Sequence, residues 1–173
     1  MPTRRQTLAL LLPLAGCATP PPPVQQAAVV VPPPQDTRQL YCVPYARERS
    51  NIHLAGDGYH WWDAANGRYE RGQQPEVGAV LVFRQTARLV DGHVAVVARL
   101  VSAREIRVDH ANWDSRRGGG PISLDQLVVD VSAANDWTAV RVWYPPSNVL
   151  GTTVFPTAGF VLPRPPGQGT RET

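Results

Sequence analysis

Lysine is absent from the sequence, cysteine and methionine are scarce, and no hydrophobic run is long enough to cross a bilayer. All 17 basic residues of the 173-residue chain are arginines. Genome base composition explains this as well as selection does, so the missing lysine indicates no function. The apolar stretch at residues 8–15 is far too short for a transmembrane helix. The length and the 43% hydrophobic content predict one domain with a single core.

The N-terminus has the pattern of a secretory signal peptide. Arg4 and Arg5 precede the apolar stretch at residues 8–15, and a short apolar segment behind positive charge is typical of exported proteins. Thr3 and the two arginines also weakly resemble a twin-arginine signal. The export route, general or twin-arginine, is therefore left open.

The signal ends in a sequence that resembles the lipobox of bacterial lipoproteins, LAGC at residues 14–17. This resemblance implies that residues 1–16 are removed as a lipoprotein signal peptide and that Cys17 carries the lipid. Ala18 follows the cysteine where Asp would favour the inner membrane. We therefore expect a lipid-anchored protein of the cell envelope that faces the periplasm from the outer membrane.

Residues 17–37 are rich in proline, with PPPP at 20–23 and PPP at 32–34. Such a composition favours extended polyproline II structure and cannot build a core. The segment is predicted to be a tether between the lipidated Cys17 and the folded domain.

The predicted mature chain is close to neutral and has one thiol that needs an explanation. Loss of Arg4 and Arg5 leaves 15 of the 17 basic residues against 14 acidic ones, so nucleic-acid binding has little compositional support. With Cys17 acylated, Cys42 is the only thiol left, and no internal disulfide can form. A lone thiol in an exported protein is unusual.

Residues 38–145 are predicted to form the folded domain, with helices first and strands later. One helix begins near Cys42, where Pro44 suits a first turn, and a second is predicted over 60–66, closed by Gly67. After Pro75 the pattern changes to β, with predicted strands at 79–84, 93–101, 104–110 and 137–144. The expected fold class is α+β, with short helices packed on an antiparallel sheet.

A C-terminal extension is predicted over residues 146–173. Residues 154–162 are expected to form an edge strand, and 163–173 a disordered tail. The oligomeric state is left open.

The second and third predicted strands bring polar residues together if Ser102 and Ala103 form the tip of a hairpin. Val101 then faces Arg104, and His93 lies opposite Asn112. Residues of like parity share a face of a strand, so His110 is a diagonal neighbour of His93 and Asp109 points to the opposite face. A local bulge would reverse that choice between His110 and Asp109.

Cys42 fits a nucleophile for this set of imidazoles and a carboxamide. A cysteine at a helix N-terminus beside an imidazolium has a lowered pKa, so we expect the thiolate to be populated near neutral pH. The alternative is a buried structural cysteine, a common environment of free thiols.

Four motifs in order resemble the signatures of the CHAP domain, a family of papain-like cell-wall peptidases. They are YCVPYAR at 41–47, PEVGAVLVF at 75–83, GHVAVV at 92–97 and VDHANW at 108–113. The resemblance spans roughly residues 39–144. It implies that Cys42 is the nucleophile, His93 the base, His110 the residue that orients the base, and Asn112 an adjacent polar helper.

Two positions depart from the family pattern. Tyr41 replaces the Gln that commonly precedes the nucleophile, which leaves the backbone N–H of Cys42 as the best-supported oxyanion donor. His110 replaces the usual acidic residue, which makes a weaker orienter than a carboxylate.

The resemblance implies a cysteine hydrolase of peptidoglycan that uses no cofactor or metal. The bond cleaved, between muramic acid and L-alanine or within the peptide stem or cross-bridge, is left open. The alternatives are a non-catalytic wall-binding lipoprotein with the same fold and an amidase for an unrelated exported substrate. His53 and His60 lack a helical ligand spacing for zinc. Trp61, Trp62 and Trp113 are candidates for a sugar-binding groove, although core packing is the expected role of Trp61 or Trp62.

Overall fold

The computed structural model describes residues 38–113, 117–144 and 147–167. By contacts, the chain divides into Met1–Pro33 and Pro34–Thr173. The predicted signal peptide, the predicted lipidation site Cys17, the predicted tether and the last residues of the predicted tail lie outside the described residues. Within the described residues, no helix combines the length and apolar character needed to cross a bilayer.

The second unit is mostly β, with short helices near its N-terminal end. Helix α1 is Cys42–Ser50, a 3-10 helix covers Gly58–His60, and α2 is Trp61–Ala64. The strands are β1 (Gln39–Leu40), β2 (Arg71–Gly72), β3 (Val80–Phe83), β4 (His93–Ser102), β5 (Glu105–Ala111), β6 (Gly120–Asp130), β7 (Ala139–Tyr144), β8 (Val149–Leu150) and β9 (Phe155–Val161). The second helix is shorter than the predicted 60–66.

The described strands pair antiparallel in the order β1-β6-β5-β4-β3-β9-β7-β8. An additional pairing of β6 with β7 makes the sheet return on itself. Strands β6, β5, β4, β3, β9 and β7 therefore form a closed ring, and β2 pairs with β9 outside it. Ring closure pairs the backbone groups that a sheet edge would leave open.

Strand β9 lies inside the sheet, so the prediction of an edge strand at 154–162 is wrong. It pairs with β3 on one side and with β7 on the other. Pro156 and Gly159 within the segment favoured an edge position. In the folded chain the register between β3 and β9 shifts near Gly159, whose φ is +128°. This irregularity lets an interior strand contain both residues.

Strand β6 has 11 residues and was absent from the sequence-based prediction. Its N-terminal half carries Pro121, Ser123 and Asp125 among apolar residues, which weakens the strand pattern. Pairing with both β5 and β7 stabilises it nevertheless. The tertiary partners therefore override a weak local preference.

Two hydrophobic clusters lie on opposite faces of the sheet. Alternation along β3 directs Leu81 and Phe83 to one cluster and Val80 and Val82 to the other. The first cluster also contains Trp113, Trp137 and Phe160 from later segments. The second packs the helices on the sheet and includes Ala46, Ile52, Trp61 and Val94.

The hairpin of β4 and β5 has the predicted register at its far end but not at its tip. The predicted tip is at Ser102 and Ala103, with Val101 facing Arg104. In the structure Ser102 pairs with Glu105 instead, so the register at the tip differs from the prediction by two residues. Two register shifts on the way compensate for this difference. Val96 therefore pairs with Asp109 and Val97 with Val108, as the predicted register requires.

Candidate active site

Cys42 is the first residue of α1, as the sequence predicted. Tyr41 before it has extended backbone and makes no side-chain cap hydrogen bond. Cys42 is half-buried and packs against the cluster that joins the helices to the sheet. The packing of α1 against the sheet thus places the thiol near β4, which begins at His93.

The electrostatics of Cys42 differ from the expectation of a populated thiolate. Burial raises the pKa of the Cys42 thiol, and the backbone N–H groups of Val94, Val43 and Cys42 only partly offset this. A negative charge on Asp91 raises the pKa further. A neutral thiol is therefore favoured in the resting site, whereas the sequence had suggested the opposite direction.

We expect alkylation of folded Cys42 by iodoacetamide to show an inflection above the ordinary thiol pKa, because burial disfavours the thiolate. The rate is measured against pH by mass spectrometry in a Cys17→Ser background, so that one thiol reacts. The same chain in denaturant should titrate like a free thiol. An inflection near neutral pH in the folded protein would support the original expectation instead.

His93 begins β4 and is buried, with 1% exposure. The 3-10 helix lies directly against it, since a Cβ on Gly58 would come within 2.8 Å of the His93 backbone nitrogen. Phe83 and Trp113 pack edge-on against its ring at centroid distances of 5.6 and 4.9 Å. These contacts bury the imidazole and limit its movement.

The imidazole of His110 forms a hydrogen bond with that of His93. His93 Nε2 and His110 Nδ1 are 2.9 Å apart in a buried hydrogen bond. The geometry therefore meets the prediction that His110 shares a face with His93. With Nε2 engaged, Nδ1 is the ring nitrogen of His93 that remains for the thiol.

Asp109 lies on the opposite face of β5, as alternation predicted. Its carboxylate accepts hydrogen bonds from Arg49 Nε at 3.1 Å and from the Asp125 backbone N–H at 2.9 Å. It thus connects α1 and β6 to β5. This geometry gives Asp109 a structural role and leaves His110 as the partner of His93.

Asn112 is buried just after β5, with a left-handed φ of 57°. Its backbone N–H donates to Pro121 at 3.0 Å. A Cβ on Gly120 would come within 2.5 Å of Asn112 Oδ1, so glycine is required for this close approach.

A cleft of about 330 Å³ contains three of the four predicted site residues. Its lining comes from the start of α1, the 3-10 helix, the turn before β4 and the segment after β5. The residues are Tyr41, Cys42, Val43, Gly56, Asp57, Gly58, Asp91, Gly92, His93, Asn112 and Arg117. His110 stands behind His93 and does not line the cleft. The Cys42 thiol and the His93 imidazole therefore face the same cleft.

Residues 33–112 match the family model of the CHAP domain. The chain carries a CHAP domain. The match includes Cys42, His93, His110 and Asn112, and ends before β6, although the sheet continues to β9. CHAP domains are typically amidase or peptidase domains of the peptidoglycan hydrolase class. No curated protein is significantly similar to the chain.

The sequence patterns did not identify several residues that line the cleft. Asp57 occupies the N-cap position of the 3-10 helix, yet its side chain makes no cap hydrogen bond. Asp91, Arg117 and Gly58 belong to no periodic pattern. Only the GHVAVV motif, which begins at Gly92 directly after Asp91, offered a signal for this wall of the cleft.

The remaining candidates lie outside the cleft. His53 and His60 are exposed, and no group of metal-binding side chains occurs among the described residues. Trp61 and Trp113 are buried in the two clusters, in agreement with the expected core packing of Trp61. Trp62 packs against Arg71, with its ring centroid 5.0 Å from the guanidinium carbon.

The buried imidazoles are held in their neutral forms. Burial lowers the pKa of His93 well below its usual value, and the neighbouring His110 lowers it further. Burial also lowers the pKa of His110 to about 4. A neutral His93 can accept a proton, which is the state that a general base needs.

We expect folding stability to fall as the pH drops from 6.5 toward 4. In this window the unfolded chain protonates His110 while the folded protein, in which the pKa of His110 is about 4, does not. Protonation of His110 in the unfolded chain alone would lower the free energy of unfolding by roughly 3 kcal/mol once the pH is below the pKa of His110 in both states. Urea unfolding at pH 7 and pH 4 measures this, and His110→Gln should reduce the loss. An exposed-residue control, His60→Gln, should leave the loss unchanged.

Proposed function

We propose that the protein is a peptidoglycan hydrolase that cleaves an amide bond with Cys42 as nucleophile and His93 as general base. The observation that carries this proposal is the shared cleft of Cys42 and His93, with His93 held from behind by His110. The family match supports a peptidoglycan substrate.

The reaction begins from a neutral thiol and a neutral imidazole. His93 Nδ1 accepts the thiol proton as the Cys42 sulfur attacks the amide carbonyl, and His93 Nε2 donates to His110 Nδ1 at 2.9 Å. The imidazolium then protonates the leaving amine, and a thioester remains on Cys42. Water, activated by His93, hydrolyses the thioester and restores the thiol.

The tetrahedral oxyanion needs hydrogen-bond donors at the start of α1. The backbone N–H of Cys42 is the proposed donor, since it lies at the helix N-terminus. Asn112, also in the cleft wall, is the proposed polar helper. Tyr41 replaces the usual Gln, and its hydroxyl accepts a hydrogen bond from the Gly118 N–H at 2.8 Å.

We also propose that the arrangement is the α+β papain-like layout. It is supported by α1, which carries the nucleophile at its N-terminus and packs on the antiparallel strands that carry His93 and His110. The extensive sheet beyond Asn112 would be an elaboration on that layout.

Digestion of purified peptidoglycan, followed by mass analysis of the released muropeptides, tests the proposal. Hydrolysis adds one water and exposes one new amine. Fragments without the muramic acid residue would identify a muramoyl-L-alanine amidase, and shortened peptides would identify a stem or cross-bridge endopeptidase. Undigested peptidoglycan with retained binding would favour the alternative, a non-catalytic wall-binding lipoprotein. The raised pKa of the Cys42 thiol is the observation that favours that alternative.

The proposed location is the periplasmic face of the outer membrane, through a lipid on Cys17. We expect Cys17→Ser to move the protein from the detergent phase to a soluble or uncleaved precursor fraction. Detergent partitioning and the mass of the mature N-terminus measure this change. Unchanged partitioning of the variant would exclude the lipid anchor.

A further inference from the structure

Two carboxylates line the cleft beside the proposed catalytic pair. Asp57 and Asp91 come from the 3-10 helix start and the turn before β4, and both residues are exposed. Within residues 38–113, 117–144 and 147–167, neither carboxylate forms an ion pair with another described residue.

Neither carboxylate has an evident structural purpose in the described part of the chain. Asp57 occupies the N-cap position of the 3-10 helix without a side-chain cap hydrogen bond. Asp91 contributes its backbone carbonyl, which accepts from the Tyr59 N–H at 3.3 Å, so an asparagine would serve that contact equally. A role in binding a substrate is therefore considered for the two charges.

The charge of Asp91 opposes ionisation of the proposed nucleophile. It lies close enough to Cys42 to raise the pKa of the thiol, although the proposed attack on the amide requires loss of the thiol proton. A cation bound beside Asp91 would cancel this effect, and the nucleophile would then be easier to ionise when the correct substrate is present.

We infer that Asp91, together with Asp57, forms a subsite for a primary ammonium group of the substrate next to the scissile amide. This inference rests on the proposed function. An ammonium presents three donors, which suits two carboxylates that line the same cleft. Arg117, which also lines the cleft, suits a substrate carboxylate. The subsite would select amine-bearing peptides over acylated ones.

Peptidoglycan peptides contain two sources of this ammonium group. One is the N-terminal amine of a stem already released from the glycan, and the other is the side-chain amine of a diamino acid that is not cross-linked. Three versions of one stem peptide separate them: the first with only the N-terminal amine free, the second with only the side-chain amine free, and the third with both acetylated.

The experiment compares kcat/KM for these three peptides in the wild-type protein, Asp91→Asn and Asp57→Asn. We expect one mono-amine peptide to be cleaved about tenfold better than the diacetylated peptide, and Asp91→Asn to reduce this preference to near one. Asp63→Asn, an exposed carboxylate on α2 outside the cleft, is the matched control and should keep the preference. The mono-amine peptide that is preferred identifies the source.

Binding measured without turnover separates failure of the subsite from failure of the proposed function. Calorimetry with the Cys42→Ala protein should show the same roughly tenfold preference in binding affinity. The double variant that also carries Asp91→Asn should bind all three peptides with equal affinity. Wild-type protein that binds with this preference but cleaves nothing would refute the hydrolase and retain the subsite. Equal affinity for all three peptides, or a preference that survives both Asp91→Asn and Asp57→Asn, would overturn the inference.

Discussion

Replacement of Cys42 by alanine is expected to reduce hydrolysis of peptidoglycan by roughly 10⁴- to 10⁶-fold, because the covalent route disappears. The measurement is the rate of new amine release from purified peptidoglycan. Cys42 is half-buried and packs at the margin of the second cluster. Loss of one sulfur atom there should leave the protein folded, which circular dichroism and thermal unfolding verify.

Two further variants, one in the proposed base and one outside the cleft, are compared with Cys42→Ala. His93→Ala should abolish activity to a similar degree, and the double variant should be no worse than either single one, because nucleophile and base act as a unit. His60→Ala, an exposed imidazole outside the cleft, should keep full activity. Substantial hydrolysis by folded Cys42→Ala would mean that another group attacks the amide.

His110→Ala is expected to lower kcat by about 10²- to 10⁴-fold with little change in KM, since in the proposed mechanism His110 orients His93 without touching the substrate. The 2.9 Å hydrogen bond between the two rings carries this expectation. Steady-state kinetics on a soluble muropeptide measure both constants. Asp109→Asn should affect kcat much less, because Asp109 contacts Arg49 and the Asp125 backbone on the opposite face.

His110→Glu distinguishes a positioning role from a merely structural one. A carboxylate at this place can still accept from His93 Nε2, so activity should return in part. The carboxylate should also raise the pKa of His93, and the lower limb of the pH profile of kcat/KM should move to higher pH. Full activity in folded His110→Ala, with a large loss in Asp109→Asn, would assign the orienting role to Asp109.

Alternation along a strand predicts which face of the sheet each side chain occupies. His93, His110 and Asp109 occupy the predicted faces because the side-chain direction depends on local parity within a strand. The register at the cleft end also agrees with prediction, but through two irregularities in β4 that compensate for a misplaced tip. The sequence carries no signal for those bulges, so the correct register at the cleft end could not have been predicted from the sequence.

Some features depend on strand order, which local patterns do not encode. Strand β9 lies between β3 and β7 although Pro156 and Gly159 favoured an edge. The weak strand pattern of β6 is likewise stabilised by two tertiary partners. Long-range pairing decides such positions, and the same pairing closes the ring of strands.

The sequence alone determined which residue types can perform the chemistry and which of them share a strand face or begin a helix, because these properties repeat over a few residues. Only the tertiary structure decided how those groups titrate. Burial by distant segments lowers the pKa of His93 and His110 and raises that of Cys42, since desolvation depends on everything packed around a group. The tertiary structure alone also brought Asp57 and Asp91 into one cleft with the thiol, since that wall is assembled from segments that are not neighbours in sequence.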